Sequence, residues 1–528
     1  MGKMLNWMRQ SESLWGRALF GIVGGLFLAL SFPAPNFAPG TFLGLFLALV
    51  AIHNLGFFKA LWIGLITGFA FFATVLIWLT TYLGPIPWAA LSIAEGLFFG
   101  VGMAITALVW RWLSTLKPSL WKNPLIAFSV GAIYTGREFF AGRFPFGGFP
   151  WARIGLSQAE NPLSKWVWAI DIPGLTWLLV AIVCLATIRF LDPLPAGSGL
   201  SNRFKIWLPT FVSWAMVIVI AFIVPLPQGE KTGTLKVAAV QGNANAGLFA
   251  INPPGSILDK HLKVARDLIK SGNAENLDLM VFPENASDLD PVNMVEPSLK
   301  ITKFVNEELK APLLFGNKTF RGSNFYNEVD LWQPQKGLTD YYDKKRPVPF
   351  GEYVPYRSFF MALAPEMIGM IGWDMSPGTR DGLFDIGTKA RVGSLICFEV
   401  TIDELTYDLV DNGASAIMVQ TNSSDFGKSE QGVQLAAISR MRAIETGRTV
   451  VSISTVGVSG IYGPDGSTID ELPTFEPGAM VADIDLRSDI TPAMVFGRFI
   501  EPIAFGFAML LFVCSLFWKI SARRKKKA

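Results

Sequence analysis

Eight apolar runs constrain this chain more than any other feature. They cover roughly 14–32, 41–55, 57–83, 88–113, 125–140, 163–190, 206–224 and 494–518. A helix needs about 20 apolar residues to cross a bilayer, and each run is near or above that length, the second being the shortest. Lipid offers the backbone no hydrogen-bond partners, so such runs are expected to span as helices. The expectation is seven spans before residue 230 and one at the end, a polytopic α-helical membrane domain of eight transmembrane helices. Composition agrees. Of 528 residues, 51% are hydrophobic and only 16% charged, where a soluble protein has about a quarter charged. The first run follows Lys3, Arg9 and Arg17 and leads into Pro33-Ala34-Pro35-Asn36 with no small-residue cleavage site, so it reads as an uncleaved anchor. Glu95 falls at membrane depth and requires a partner or a polar cavity.

Lysine and arginine placement sets the expected orientation. With the N-terminus inside, the cytoplasmic segments carry Lys59, then Arg111, Lys117 and Lys122, then Arg189, Arg203 and Lys205. The tail Arg523-Arg524-Lys525-Lys526-Lys527 also falls inside, as an even number of spans requires. The opposite side has the uncharged turns 33–40 and 84–87, while an outer loop with Arg137, Arg143 and Arg153 breaks the pattern. The region between the seventh and eighth spans then lies outside the cytoplasm.

That region is a different kind of sequence. Charge, glycine and turn signals return, and strand-like runs (235–241, 277–282, 312–316, 392–397, 416–420, 450–455) alternate with helical ones (256–271, 297–308, 402–412, 430–447). Gly463-Pro464-Asp465-Gly466 reads as a turn between two further strands. About 250 residues of this pattern suit one α/β domain with its own core. The expected organisation is a membrane domain over 1–230, an extracytoplasmic domain over 231–490, and a last span with a basic tail over 491–528.

The net charge of +3 gives no support to nucleic-acid binding. Of three cysteines, Cys184 and Cys514 lie in apolar runs, so no disulfide framework can form. The two histidines are distant, His53 between spans and His261 on a polar helical stretch. Neither a histidine metal site nor a Ser-His-Asp triad is expected. No metal or cofactor is expected.

Three polar sites follow strands or turns of the 231–490 region. Glu284 ends an apolar run in Phe282-Pro283-Glu284-Asn285. Lys344 lies in Tyr341-Tyr342-Asp343-Lys344-Lys345-Arg346, ahead of Val348-Pro349-Phe350-Gly351-Glu352. Cys397 sits in Ile396-Cys397-Phe398-Glu399, where a strand turns into what reads as a helix start, whose dipole would favour a thiolate. Ends of adjacent strands converge, so a base, a cation and a nucleophile could meet at one rim. Those are the parts of acyl transfer without histidine. Each also has a plain alternative: Glu284 as a turn cap, Lys344-Lys345-Arg346 as a solvated basic turn, Glu352 and Glu399 as salt-bridge partners, and Cys397 as a buried structural cysteine.

Taken in order, these motifs resemble the nitrilase (carbon–nitrogen hydrolase) superfamily with its Glu-Lys-Cys triad. The arrangement within eight spans resembles the bacterial apolipoprotein N-acyltransferases. Val240-Gln241-Gly242-Asn243, Gly148-Phe149-Pro150-Trp151 with Gly155 and Ser157-Gln158, Arg440-Met441-Arg442-Ala443-Ile444-Glu445 and Gly463-Pro464-Asp465-Gly466 also fit. The resemblance implies an αββα sandwich for the catalytic domain, with Glu284 as general base, Lys344 rather than Lys345 as oxyanion-stabilising cation, and Cys397 as nucleophile. Glu352 and Glu399 match two further functional glutamates, and Asn327 a supporting asparagine. Phe398 stands where many members have tyrosine. Residues 244–254 and Asn422-Ser423-Ser424-Asp425-Phe426-Gly427 lack the tryptophans often found there, Phe249 being the only aromatic in the first.

The implied reaction is ping-pong, carrying an acyl chain from a membrane phospholipid through a Cys397 thioester to a diacylglyceryl apolipoprotein. The implied setting is a monomer in a bacterial inner membrane. An apolar, Met-rich stretch with Phe359, Phe360, Met367, Met370 and Trp373 reads either as a buried core helix or as a lipid-facing lid. The competing functions are a membrane-tethered amidase and a non-enzymatic receptor or transporter.

Overall fold

The computed structural model describes residues 13–192, 200–227, 229–247 and 250–527, without side-chain detail at 200–206, 523 and 525–527. Lys3, Arg9 and Phe249 lie outside the described residues, as do the side chains of Arg203, Lys205 and most of the basic tail. Two compact units form, one from 1–226 with 495–528 and one from 227–494.

In the first unit every apolar run is helical: Leu14–Leu30, Pro39–Ile52, Phe57–Val75, Pro85–Ser114, Lys122–Ala141, Val167–Leu191, Leu200–Ile223 and Arg498–Lys527. Among the described residues, four helical stretches are long and apolar enough to cross a membrane, Phe57–Val75, Pro85–Ser114, Pro162–Leu191 and Ala493–Ala522. Leu14–Leu30, Pro39–Ile52 and Trp207–Ile223 are shorter apolar helices. The run 57–83 is broken after Val75 and ends in a single turn, Leu79–Tyr82. Small residues let these helices approach: a methyl on Gly68 would lie 2.8 Å from the Gly96 Cα.

Polar groups of this unit answer one another. Glu95, 3% exposed, lies in the field of Arg137 and Glu138. Arg137 is not a loop residue as its place in the sequence suggested. It lies inside Lys122–Ala141 and donates to Glu138 at 3.1 Å. Arg143 and Arg153 share Glu501, at 2.8 and 3.5 Å. Ser157-Gln158 is bound to the helix Pro39–Ile52 through Thr41, whose hydroxyl lies 2.7 Å from Ser157 Oγ and accepts from Gln158 Nε2 at 2.8 Å.

The second unit holds two six-stranded sheets. One runs β12-β1-β2-β3-β4-β5 and the other β11-β10-β9-β8-β7-β6. The strands are β1 (Lys231–Gln241), β2 (Leu279–Val281), β3 (Leu313–Arg321), β4 (Asn324–Gln333), β5 (Gly337–Asp343), β6 (Leu383–Ile386), β7 (Ala390–Ile396), β8 (Ala416–Thr421), β9 (Thr449–Ser454), β10 (Ser459–Tyr462), β11 (Thr468–Leu472) and β12 (Gly478–Arg487). Between the sheets pack Val237, Ala239, Val329, Val392, Ile396, Met418 and Ile453. Ala238, Val240 and Met280 turn to the other face, against Leu258, Leu262 and Ala265 of the helix Ser256–Lys270. Strands apolar on both faces are what a sheet covered on both sides requires. The helices Asp403–Asp411 and Gln431–Thr446 cover the second sheet, completing a helix–sheet–sheet–helix sandwich.

Several expectations shift in detail. The predicted helix 297–308 ends at Lys303 and continues as a wider turn, Phe304–Leu309. His261 is wholly buried on the inner face of its helix, its ring 5.5 Å from that of Phe282. The hairpin β4–β5 is absent from the sequence reading, because β4 carries Glu328 and Asp330 inward and loses its alternating pattern. The 359–373 stretch is not a core helix. It forms two short helices, Arg357–Leu363 and Pro365–Gly369, with Phe359 63% and Trp373 66% exposed.

Candidate active site

The polar residues singled out by the sequence sit just past strand ends or at the open end of the space between the sheets. Glu284 follows β2, Lys344 follows β5 and Cys397 follows β7, while Asn327 lies on β4. Cys397 has φ 54°, the left-handed region that side chains resist. A non-glycine residue held there stores on the order of 1–3 kcal/mol of strain, and the elbow persists only because its surroundings over-determine it. Glu399 supplies much of that determination. It is fully buried and accepts from the Ile396 N–H at 2.9 Å, the Arg346 N–H at 3.1 Å and the Tyr342 hydroxyl at 3.0 Å.

Lys344 is 1% exposed. Its ammonium lies 2.9 and 2.8 Å from the two oxygens of Glu352 and 3.6 Å from Glu284. Lys345 turns away to Asp381 at 2.6 Å. Asn327 Nδ2 donates to Glu284 at 2.7 Å and to Glu352 at 2.8 Å, so one amide ties the two carboxylates together. The Asn422 N–H donates to the other Glu284 oxygen at 2.8 Å. Gly316 packs beneath: a methyl there would lie 2.6 Å from the Glu284 Cα.

These contacts push the groups apart in protonation. Burial raises the Glu284 carboxyl above the usual range, with Lys344 opposing and Glu352 reinforcing the rise. Burial works against ionisation of Glu352 too, but Lys344, Asn327 and the Val348 N–H outweigh it and hold that carboxyl low. Burial alone would lower Lys344; Glu352 and Glu284 reverse this and fix it as a cation. Burial pushes the Cys397 thiol well up and the Glu284 charge adds to this, while Lys344 and the Phe398 N–H favour the thiolate. The sequence expectation of a helix dipole at the cysteine is corrected here. A 3-10 turn, Cys397–Thr401, follows the nucleophile position, and the α-helix begins only at Asp403. Burial and the Glu284 charge thus favour the protonated form of the Cys397 sulfur.

Phe398 is buried in this turn. Arg442 was quoted only within a motif, yet its wholly buried guanidinium donates to the Val400 carbonyl at 2.8 Å and ties the turn to the helix Gln431–Thr446. Tyr342, two residues before Lys344, is likewise a functional neighbour that its place in the run 341–346 does not announce, through its hydroxyl on Glu399. Asn422 contributes through its backbone, which no residue type announces.

Residues 236–490 match the family described as carbon–nitrogen hydrolase, in agreement with the two-sheet sandwich and its strand-end cysteine. The chain therefore carries a catalytic domain of that superfamily. Residues 24–185 match the family described as apolipoprotein N-acyltransferase N-terminal domain. An apolipoprotein N-acyltransferase from Mycolicibacterium smegmatis is 30% identical, over 96% of this chain and 88% of its own length. Relatives of the same name from Geobacter metallireducens and Shewanella oneidensis are 27% and 28% identical, over 89% and 87% of this chain and 89% and 86% of theirs. The chain belongs to the apolipoprotein N-acyltransferase family and is an acyltransferase. Its apolar helices fit a bacterial membrane protein.

Proposed function

We propose that this enzyme transfers a fatty acyl chain from a membrane phospholipid to the α-amino group of the N-terminal diacylglyceryl-cysteine of an apolipoprotein. The observation that carries the reading is the grouping of a half-buried Cys397 with one buried carboxylate raised toward neutrality, Glu284, and one buried, fixed cation, Lys344. Glu284 takes the Cys397 proton as the sulfur attacks the ester carbonyl. Lys344 and backbone N–H groups at the elbow stabilise the oxyanion. The carbon–oxygen bond breaks, Glu284 returns the proton to the leaving alkoxide, and a lysophospholipid departs from a Cys397 thioester. The acceptor amine then attacks the thioester and gives its proton to Glu284. The sulfur leaves and recovers that proton, and an amide remains. Glu352 and Asn327 hold Lys344 and Glu284 in place, and Glu399 holds the elbow, with Phe398 beside the sulfur.

The same proposal covers the setting. The eight helices are eight spans, both termini are cytoplasmic, and residues 231–490 face the extracytoplasmic side of the inner membrane between a 1–230 membrane domain and a 491–528 anchor. Support comes from the lysine and arginine distribution. The exposed side chains of Phe359, Met370 and Trp373, with Phe360 and Met367 in the same stretch, form a lid that meets lipid. The enzyme works as a monomer without cofactor.

Mass spectrometry of Cys397 after incubation with phospholipid vesicles tests the reaction. An acyl thioester that disappears on adding a diacylglyceryl-cysteine peptide, with N-acyl peptide formed, is the expected result. Release of the acyl group to water alone would replace this reading with an amidase.

A further inference from the structure

The face of the first sheet that carries Glu284's partners continues outward in an ordered way. On the paired strands β3 and β4, Gly316 lies opposite Val329, Lys318 opposite Asn327, and Phe320 opposite Phe325. Directly opposed residues of an antiparallel pair share a face, with Cβ atoms about 5 Å apart. Val329 belongs to the core between the sheets. Asn327 holds Glu284 and Glu352. The Phe320 and Phe325 rings stack at 4.5 Å, and Trp373 meets Phe320 edge-on at 5.7 Å. One step out from the reacting groups there is a cation, and one step beyond it an exposed aromatic platform.

That cation is idle. Lys318 is exposed, and no carboxylate among the described residues lies within ion-pair distance of it. Its field nonetheless reaches Glu284 inside the site and Asp425 at the rim. Of the other cations near the site, Lys344 is engaged by Glu352, Lys345 by Asp381, and Arg321 by Glu328 and Asp343, while Arg346, whose N–H binds Glu399, is exposed like Lys318 but lies beyond β5 rather than opposite Asn327. The acyl donor assigned above carries a phosphodiester a few bonds from the ester that reacts. An ammonium one step from the base matches the short distance along such a molecule from the reacting ester to the phosphate.

We infer that Lys318 binds the phosphate of the donor phospholipid and selects anionic, phosphate-bearing acyl donors. This rests on phospholipid-dependent acylation of Cys397. An ammonium–phosphate contact at a partly solvated rim is worth about tenfold in rate. The contact is present in the first half-reaction and absent from the second, because the acceptor amine carries no phosphate.

The test uses the full-length enzyme and two donors, phosphatidylglycerol vesicles and an uncharged p-nitrophenyl ester of a long-chain fatty acid. The readout is the ratio of their Cys397 acylation rates. Lys318→Met should lower the phospholipid-to-ester ratio about tenfold, Lys318→Glu should lower it further, and Lys318→Arg should restore it. Because Lys318 also acts on Glu284, both absolute rates will move, and the ratio removes that common change. A ratio unchanged in Lys318→Met, with the wild type acylated by both donors, overturns the inference and leaves the proposed reaction standing. A wild type acylated by the ester but never by phospholipid overturns both.

Discussion

Two buried ion clusters flank the candidate nucleophile, and each consists of one cation and two carboxylates. Around Lys344 stand Glu352 and Glu284; around Arg442 stand Asp403 and Glu445. The Arg442 cluster is closed. Its guanidinium reaches Asp403 at 2.5 Å, Glu445 at 2.6 Å and the Val400 carbonyl at 2.8 Å, using a planar fork that fixes three directions at once. The Lys344 cluster is lopsided. Glu352 takes the short contacts, and Glu284 is left at 3.6 Å with a carboxyl raised toward neutrality. The same charges therefore give a brace in one place and, under the proposed mechanism, a proton acceptor in the other. The difference lies in the geometry of the cation and in how unequally its two partners share it.

Substitutions that break this contrast should do so in a graded way. Cys397→Ser should abolish turnover, and Glu284→Gln should leave the thiol unacylated, slowing acylation by about 10²–10⁴-fold; mass spectrometry of the thioester reads both. Lys344→Met should slow acylation by about 10²–10³-fold. Arg442→Met, by contrast, should appear first in stability. Leaving two buried carboxylates without their cation costs about 3–5 kcal/mol, visible as a lower thermal midpoint. If Arg442→Met kept its midpoint while Lys344→Met lost as much, the division into brace and working cluster would be reversed.

A smaller effect sharpens the comparison through pH. Glu284 must be ionised to take the thiol proton, and its pKa is raised from 4.5. The acylation rate should therefore fall with falling pH at a midpoint above 4.5. Glu352→Gln removes a charge that raises Glu284, so that midpoint should move down. For folding the sign of Glu352 is the opposite of that of Glu284. Its lowered pKa contributes stability that is present above pH 4.5 and lost as pH falls through the folded value. The smallest effect is expected for Tyr342→Phe, which removes one hydrogen bond to Glu399 and should cost about 1 kcal/mol in thermal stability.

Much of this was legible in the sequence where residue type and strand end coincide. The resemblance separated Lys344 from Lys345, and the structure gives the two different partners, Glu352 for one and Asp381 for the other. The apolar runs marked the helices, and Gly463-Pro464-Asp465-Gly466 marked a true turn, closed by the Gly463 N–H to Ser467. What stayed hidden has common physical causes. The hairpin β4–β5 was concealed by Glu328 and Asp330, buried acids that break the alternation a strand shows. The Asn422 N–H and the left-handed backbone of Cys397 are properties of the main chain. Arg442 and Glu95 required knowledge of which distant segments lie beside them.

Gly316 has a consequence of its own. With 2.6 Å between a would-be methyl and the Glu284 Cα, the height of that carboxylate above its surroundings is set by a residue with no side chain. Adding one carbon there would press on main-chain atoms of Pro283, Glu284 and Asn285 at 2.6–2.8 Å, so the backbone that carries Glu284 would have to move although no charge is touched. Under the proposed mechanism, Gly316 is therefore a ruler by which the reach of proton transfer could be varied while the ionic setting stays fixed.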